Sequence, residues 1–229
     1  MLAILYDIHG NLPALEAVLD DAAGQGADRF RLGGDYAAFG AWPVECVQRL
    51  QELADATWIR GNWERWQGDP AAAPDNEVVQ GAAAAVIAAL GSELVERLAA
   101  LPATDEHDDT LFCHASPVSD VEPFGRDADA DEDDQLLAGV QQRRVVFGHT
   151  HIQFSRATTR GIELVNAGSV GLPWDGDTRA AYALLDDQGG VHLRRVDYDM
   201  EGAARALDDL DTPWSRTTAE RLRRARFDV

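Results

Sequence analysis

Leu2-Ala3-Ile4-Leu5-Tyr6-Asp7-Ile8-His9-Gly10-Asn11 is the stretch that decides the fold. Its first five residues form a nearly continuous apolar run. A run of this length bounded by glycine predicts a strand buried on both faces, as in a sheet covered by helices. The run ends in an Asp and a His two positions apart. In extended chain, residues i and i+2 point to the same side. Asp7 and His9 are therefore expected to converge at the C-terminal end of a buried strand, where α/β proteins place their ligands. Taken alone, the stretch fits equally well with Asp7 as a helix cap and His9 as an ordinary loop residue.

Working outward, Pro13 stands in the first turn of a helix, where proline is tolerated. Leu15, Val18, Leu19 and Ala22 follow at helical spacing, which predicts an amphipathic helix over residues 12–23. Arg29 to Leu32 is a short strand ending in Gly33-Gly34-Asp35. A second helix starts near Pro43, and Ala56 to Ile59 is a third strand ending in Arg60-Gly61-Asn62-Trp63-Glu64. This alternation predicts a parallel sheet of βαβ units. Residues 67–76 read as a surface loop and Val78 to Leu90 as a helix stopped by Gly91. Ser92 is expected to cap a helix running to Leu101. Asp108-Asp109 is the turn of a hairpin whose returning strand runs from Thr110 to His114. Residues 119–134 read as an acidic surface or lid loop.

Arg144 to Phe147 is a strand ending in Gly148-His149-Thr150-His151, and residues 152–157, 162–165, 181–185 and 191–196 are expected as successive strands joined by short turns. Helices at about 201–208 and 216–226 close the chain. Alternation first and hairpins later predict an α/β fold of two mixed β-sheets packed face to face with helices outside, in one domain over residues 1–229.

Composition narrows the function. The chain has 229 residues, 45% of them hydrophobic, enough for one domain with a substantial core. Two cysteines are too few for a disulfide framework and fit a reducing cytoplasm. No signal peptide is expected, because Asp7 and His9 interrupt the only early apolar run. No stretch approaches the ~20 apolar residues that span a membrane. The net charge is −20 and every basic residue is Arg. Such a surface repels phosphate backbones, so stable nucleic-acid binding is not expected. A small anionic substrate can still bind where metal ions or local arginines reverse the field.

The polar residues at the predicted strand ends are Asp7, His9, Asp35, Asn62, His114, His149 and His151. All are metal-ligand types beside Gly or small residues. Of the histidines, only His107 and His192 fall outside the set. Cys113 is not counted, since alternation points it away from the face His114 uses. The order Asp7-Ile8-His9-Gly10-Asn11, Gly34-Asp35, Gly61-Asn62, His114, Gly148-His149-Thr150-His151 resembles the calcineurin-like metallophosphoesterase family. The Asn166 to Gly171 loop and the Asp175–Arg179 segment are similar to its small bacterial, phosphodiesterase-like branch. The resemblance implies a four-layer αββα sandwich carrying two divalent metal ions. It assigns Asp7, His9, Asp35 and His151 to one ion and Asp35, Asn62, His114 and His149 to the other, with Asp35 bridging. Asp35, Asn62 and His114 are then the residues on which catalysis turns. Two close cations need a bridging carboxylate, and together they hold phosphoryl oxygens and supply a bridging hydroxide for in-line attack. An all N/O ligand set fits Mn, Fe, Ni or Zn, and the resemblance favours Mn.

One position departs from the family. Many members carry His after the Asn of the third motif, where this chain has Trp63. Indole offers one weakly acidic N–H and no general acid. Trp63 is expected as an aromatic wall able to stack on a nucleobase, with simple loop packing as the alternative. Diesterase-like branches often lack that His as well. Tyr6 stands where relatives commonly carry Ser. Asn11 either contacts phosphate or caps a helix. Arg60, Arg65 and Arg179 either neutralise substrate or form surface ion pairs. Trp42, Trp66 and Trp174 are expected in loops near the pocket. The expectation is a cytoplasmic, dinuclear-metal phosphoesterase, foremost a phosphodiesterase on small or nucleotide esters such as 2′,3′-cyclic nucleotides or aryl diesters. The alternatives are a phosphomonoesterase, a dinucleoside polyphosphate hydrolase, or a silent scaffold of the same fold. A scaffold has no need of all seven ligand-type residues.

Overall fold

β1 (Leu2–Leu5) is the middle strand of a five-stranded sheet in the computed structural model, which describes residues 1–127 and 129–229. It pairs in parallel with β2 (Arg29–Leu32), which pairs in parallel with β3 (Ala56–Trp58). On its other side runs antiparallel β9 (Ala180–Leu185), followed by β10 (Val191–Val196). The second sheet has the order β4 (Thr104–His107), β5 (Thr110–Cys113), β6 (Arg144–Phe147), β8 (Glu163–Asn166), β7 (Phe154–Ala157). Within it β5, β6 and β8 are parallel.

Alternation along β1 explains why the run is apolar throughout. Ala3 and Leu5 face the helices, while Leu2, Ile4 and Tyr6 join Phe112, Val146 and Val165 of the second sheet between the two. The helical layer outside the first sheet includes α1 (Leu12–Gly24), α2 (Pro43–Gln51), α4 (Glu77–Leu90), α7 (Met200–Asp209) and α8 (Pro213–Arg224). Leu15, Val18 and Leu19 of α1 are buried there, each contributing about 1.5–3 kcal/mol. The outer face of the second sheet carries a thinner cover, with Phe124, Leu137 and Val140 packed on Val145, Phe147 and Leu164.

Four sequence expectations change. Residues 119–134 are not all loop: α6 (Ala130–Leu136) begins among them, and its buried Asp133 makes a bidentate pair with Arg156 at 2.6 Å. The acidic run is thus part of the cover of the second sheet. Asn62–Gly68 is a helix, α3, where loop was expected; its aromatic and charged residues show no aliphatic period. The helix α5 (Ser92–Ala99) is N-capped by Gly91, and the Ser92 side chain makes no capping bond. The later strands are not all hairpins: after β8 the chain crosses through residues 167–179 back to the first sheet. Among the described residues no single helix is long and apolar enough to cross a membrane; α4 and α5 reach that length and composition only as a pair bent by 111°.

Candidate metal centre

The parallel strands carry the seven candidate residues to one end of the sheets. Asp7 and His9 follow β1, Asp35 follows β2, Asn62 opens α3 after β3, His114 follows β5, and His149 and His151 follow β6. The convergence of Asp7 with His9 is real, but its geometry is not that of a strand. Asp7, His9, Asp35, His149 and His151 all have left-handed backbones, with φ of 54°, 49°, 58°, 62° and 56°. Each such residue costs about 1 kcal/mol or more. Backbone bonds hold the bends in place: the N–H groups of Asp7, His9 and Gly10 donate to the carbonyls of Gly34, Asp35 and Tyr36 at 3.1, 2.9 and 3.0 Å.

The loop from Asn166 to Leu172 clamps this end from the other side. Ser169 Oγ and Gly171 N both donate to the Asp7 carbonyl, at 2.8 and 3.0 Å. Asn166 Nδ2 donates to Gly148 O at 2.8 Å and to Thr150 Oγ1 at 2.9 Å, steadying the loop that carries His149 and His151. Gly171 is required here: a Cβ at this position would lie 1.8 Å from the Ile8 carbonyl oxygen.

Two groups result. Asp7, His9 and His151 bring ligand atoms within 4.8 Å of one another, and so do Asp35, His114 and His149. Each carboxylate has one oxygen tied to backbone and one turned inward. Asp7 Oδ2 accepts from His149 N at 2.8 Å, while Oδ1 lies 3.5 Å from His151 Nε2. Asp35 Oδ1 accepts from Trp63 N at 3.0 Å, while Oδ2 lies 3.3 Å from His114 Nε2 and 3.8 Å from His9 Nε2. Asp35 thus faces both groups, but so does Asp7 Oδ1, at 3.8 Å from His114 Nε2.

These residues fit metal ions on their own chemistry. His9, His114 and His151 each donate Nδ1–H to a backbone carbonyl, of Ala38, Gly33 and Leu172. A neutral ring so held presents a lone pair at Nε2. Yet His9 Nε2 and His151 Nε2 face each other at 3.1 Å, two lone pairs that repel unless positive charge lies beside them. Asp7 Oδ1 and Asn62 Oδ1 are buried acceptors with no hydrogen-bond partner, and orphaned acceptors of this kind are costly without a cation.

The electrostatics carry the same demand. Burial, and then the facing His151, lower the His9 pKa to about 4; burial and His114 do the same to His149. Burial opposes charge on His114 too, but Asp35 and Asp7 overcome it and push its pKa up to about 10. Burial works against the Asp7 carboxylate, yet His151, His114 and His9 hold it well below the ordinary range. Positive charge is drawn to the point between the two carboxylates.

Glu64, to which the sequence analysis gave no role, ties two of these loops together. It is fully buried, and its carboxylate accepts from the N–H groups of Asp35 (2.8 Å), Gly61 (2.7 Å) and Tyr36 (2.9 Å). Burial, with Asp35 nearby, pushes its pKa up to about 7. The sequence signal was the spacing Gly61-x-x-Glu64, in which a Glu at the third helical position reaches back to the capping N–H. Tyr6 also gains a role. Its hydroxyl donates to Val146 O at 3.0 Å across the sheets, and its ring occupies the space a Gly33 Cβ would need, 2.0 Å away.

Several candidates fall to the plainer reading. Asn11 caps α1 by accepting from Ala14 N, and its amide donates to Gly171 O and Tyr198 Oη, so its polar atoms are already engaged. Arg60 and Arg65 both pair with Asp120, and Arg179 pairs with Asp177. Cys113 is buried in the core of the second sheet. His107 and His192 lie apart from both groups, His192 paired with Asp186.

Five of the candidate ligands, His9, Asp35, Asn62, His149 and His151, line a cleft of about 470 Å³, within the range of small-ligand sites. Its walls are aromatic. Trp63, only 4% exposed, stands edge-on to Phe39 and Trp66 at 4.6 and 5.3 Å. Trp174 stacks on His151 at 3.7 Å, and Phe227 lies against Trp174 at 4.8 Å. Trp66 belongs to α3 rather than a loop, and Trp42 lines a separate small pocket beside Asn11. Phe227 and Arg221, which also line the cleft, carried no sequence signal, since they lie beyond every strand-end motif.

Residues 1–190 match the model of the calcineurin-like phosphoesterase superfamily domain. An uncharacterized protein of Methanocaldococcus jannaschii is 28% identical over 235 residues, covering 89% of this chain and 90% of that one. A metallophosphoesterase from Sphaerobacter thermophilus superposes with a TM-score of 0.80 at 25% identity, covering 98% of this chain and 99% of that one. A hypothetical protein from Pyrococcus horikoshii superposes with a TM-score of 0.83 at 22% identity, over 97% and 98% of the two chains.

Proposed function

Because the chain belongs to the calcineurin-like phosphoesterase superfamily, and is thereby a metal-dependent phosphoesterase, we propose that it is a phosphodiesterase acting on small aromatic or nucleotide esters. In this reading Asp7, His9, Asp35 and His151 hold one divalent ion and Asp35, Asn62, His114 and His149 the other. The observation that carries the reading is two ligand-type groups, Asp7-His9-His151 and Asp35-His114-His149, gathered side by side with five of the candidate ligands opening onto an aromatic cleft. When bound, two divalent ions supply Lewis-acid polarisation of the phosphoryl oxygens and a water nucleophilic at neutral pH. The N/O donor set suits Mn, our choice, as well as Fe, Ni or Zn. The chain's own residues do the rest. Glu64 and the Asn166–Leu172 loop fix the floor. Trp63, Phe39 and Trp174 line the cleft as packed aromatic walls that exclude water. The whole chain acts as one domain in a reducing cytoplasm, on small anionic substrates rather than long nucleic acid or membranes.

Metal binding is checked without catalysis. Mn at about 100 times its dissociation constant stabilises the chelated protein by ~2.7 kcal/mol, which raises the melting midpoint by roughly 5–10 °C for a chain of this size. Calorimetry showing no shift with any of the four metals would remove the dinuclear reading.

The diester preference rests on Trp63. With His9, His114, His149 and His151 all taken as metal ligands and an indole at position 63, this reading leaves no free side-chain acid among the described cleft residues to protonate the leaving oxygen, so esters with stable or strained leaving groups are favoured. Aryl diesters and 2′,3′-cyclic nucleotides are expected to outpace sugar monophosphates by at least about tenfold, ~1.4 kcal/mol of barrier. Trp63→His narrows that ratio by raising monoester turnover. A wild-type preference for sugar monophosphates, or an unchanged ratio in the variant, reduces Trp63 to packing and favours the monoesterase alternative.

A further inference from the structure

Residues 200–229 lie outside the part of the chain that matches the family model, which ends at 190, yet they complete the cleft. The end of α8 folds back, with Arg221 Nε donating to Phe227 O at 2.9 Å. Ala225 O accepts from Gly176 N at 3.0 Å, pinning this turn to the loop that carries Trp174. A continuous stack leads outward from a candidate metal ligand: His151, Trp174, Phe227, and the Arg221 guanidinium 4.1 Å from the Phe227 ring centroid.

Arg221 is unusual in this protein. The chain has 40 acidic and 20 basic residues, and most of its arginines sit against a carboxylate. Arg221 makes no salt bridge among the described residues; it is half-buried and is the only Arg lining the cleft. Burial lowers its pKa and the field of Asp228 raises it. Phe227 holds one face and the Nε edge, which leaves the other guanidinium N–H groups without a carboxylate. Trp174, on which Phe227 packs, lines the same cleft. In so acidic a protein, a half-buried guanidinium that lines a cleft with no carboxylate within ion-pair distance among the described residues favours an anion there.

We propose that Arg221, Phe227 and Trp174 form a specificity subsite for a second anionic group on the substrate, remote from the phosphoryl group at the metal floor. With aromatic walls between the two anchors, the ligand class is a nucleotide carrying a second phosphate. This deepens the phosphodiesterase reading and rests on it for the position of the first phosphate.

The test is calorimetric titration of the full-length, Mn-loaded protein with adenosine 3′,5′-bisphosphate and with AMP. The wild type binds the bisphosphate at least about tenfold more tightly, and Arg221→Gln brings the ratio to within about twofold by weakening the bisphosphate alone. Arg221→Lys, which keeps the charge but not the fork, retains part of the preference, and far-UV circular dichroism verifies that both variants fold. Equal wild-type affinities, or an Arg221→Gln variant that keeps the preference, overturn the subsite. Turnover of bis(p-nitrophenyl) phosphate by the wild type is measured alongside. If that diester is not hydrolysed with any of the four metals while the preference and its loss are both seen, the diesterase reading fails and the anion subsite stands.

Discussion

Asp35→Asn removes phosphoester turnover by about 10³-fold or more, equivalent to ~4 kcal/mol of barrier. The substitution keeps the shape of the side chain and the bond from Trp63 N to Oδ1, so the loop after β2 has no reason to move. What changes is the oxygen that faces His9 and His114 at 3.8 and 3.3 Å. In the proposed dinuclear reading a carboxylate there would serve both ions, and an amide would remove the charge from both together. His9→Ala, by contrast, removes a ligand from one group only; its loss is smaller and is partly recovered by raising the metal concentration. Steady-state kinetics over a metal series distinguishes the two variants, with melting curves of the chelated proteins as the control for folding. An Asp35→Asn enzyme within tenfold of wild type at saturating metal would contradict the bridging assignment, for which Asp7 Oδ1 is the structural competitor.

Gly171→Ala is expected to destabilise the fold by about 3–5 kcal/mol, at the upper end for one substitution. The added Cβ would meet the Ile8 carbonyl oxygen at 1.8 Å and Asn11 Cβ at 3.0 Å. Neither is the end of a flexible side chain. The backbone around Ile8 is tied to the loop after β2, and Asn11 caps α1. To relieve the clash the loop must withdraw, giving up the bonds from Ser169 and Gly171 to the Asp7 carbonyl. Gly161→Ala is the matched control. Gly161, unlike Gly171, has a left-handed backbone, φ 76°, and a Cβ there meets nothing within 4 Å, so it carries only the conformational strain of about 1 kcal/mol. Urea unfolding of both variants measures the difference. A Gly171→Ala protein as stable as the Gly161→Ala protein would mean that the clamp is soft.

The comparison of sequence with structure divides along physical lines. Strands buried on both faces, such as Leu2–Leu5 and Arg144–Phe147, were legible because burial leaves an unbroken apolar run. The seven strand-end residues were legible as a set because parallel strands bring their C-terminal ends together, and the structure does gather them. The reason offered for Asp7 and His9 was different from the one observed: a pair of left-handed residues with Ile8 between them, not alternation along a strand. Glu64 and Arg221 stayed hidden for opposite reasons. Glu64 sits in a recognisable capping pattern, but its three backbone donors come from two loops that only the folded sheet brings side by side. Arg221 belongs to an ordinary-looking helix, and its meaning depends on what it lacks, a carboxylate partner. α6 was missed because seven residues rich in Asp give no amphipathic period, although the buried Asp133–Arg156 pair makes the segment part of the packed cover.

Each candidate ligand group draws on both sheets. Asp7 and His9 come from the first and His151 from the second, while Asp35 comes from the first and His114 and His149 from the second. His9 and His151 are 142 positions apart in the chain. In the proposed reading, an ion held between them would act as a rivet through the sandwich, closing a loop whose entropy in the unfolded chain is of the order of 4–5 kcal/mol. Elsewhere the two sheets meet chiefly through apolar side chains, Leu2, Ile4 and Val146 among them, with the Tyr6 hydroxyl bonded to Val146 O across the seam. Two such rivets would block sliding at the strand ends that carry the candidate ligands and make that end the mechanically stiff one, with separation beginning away from it.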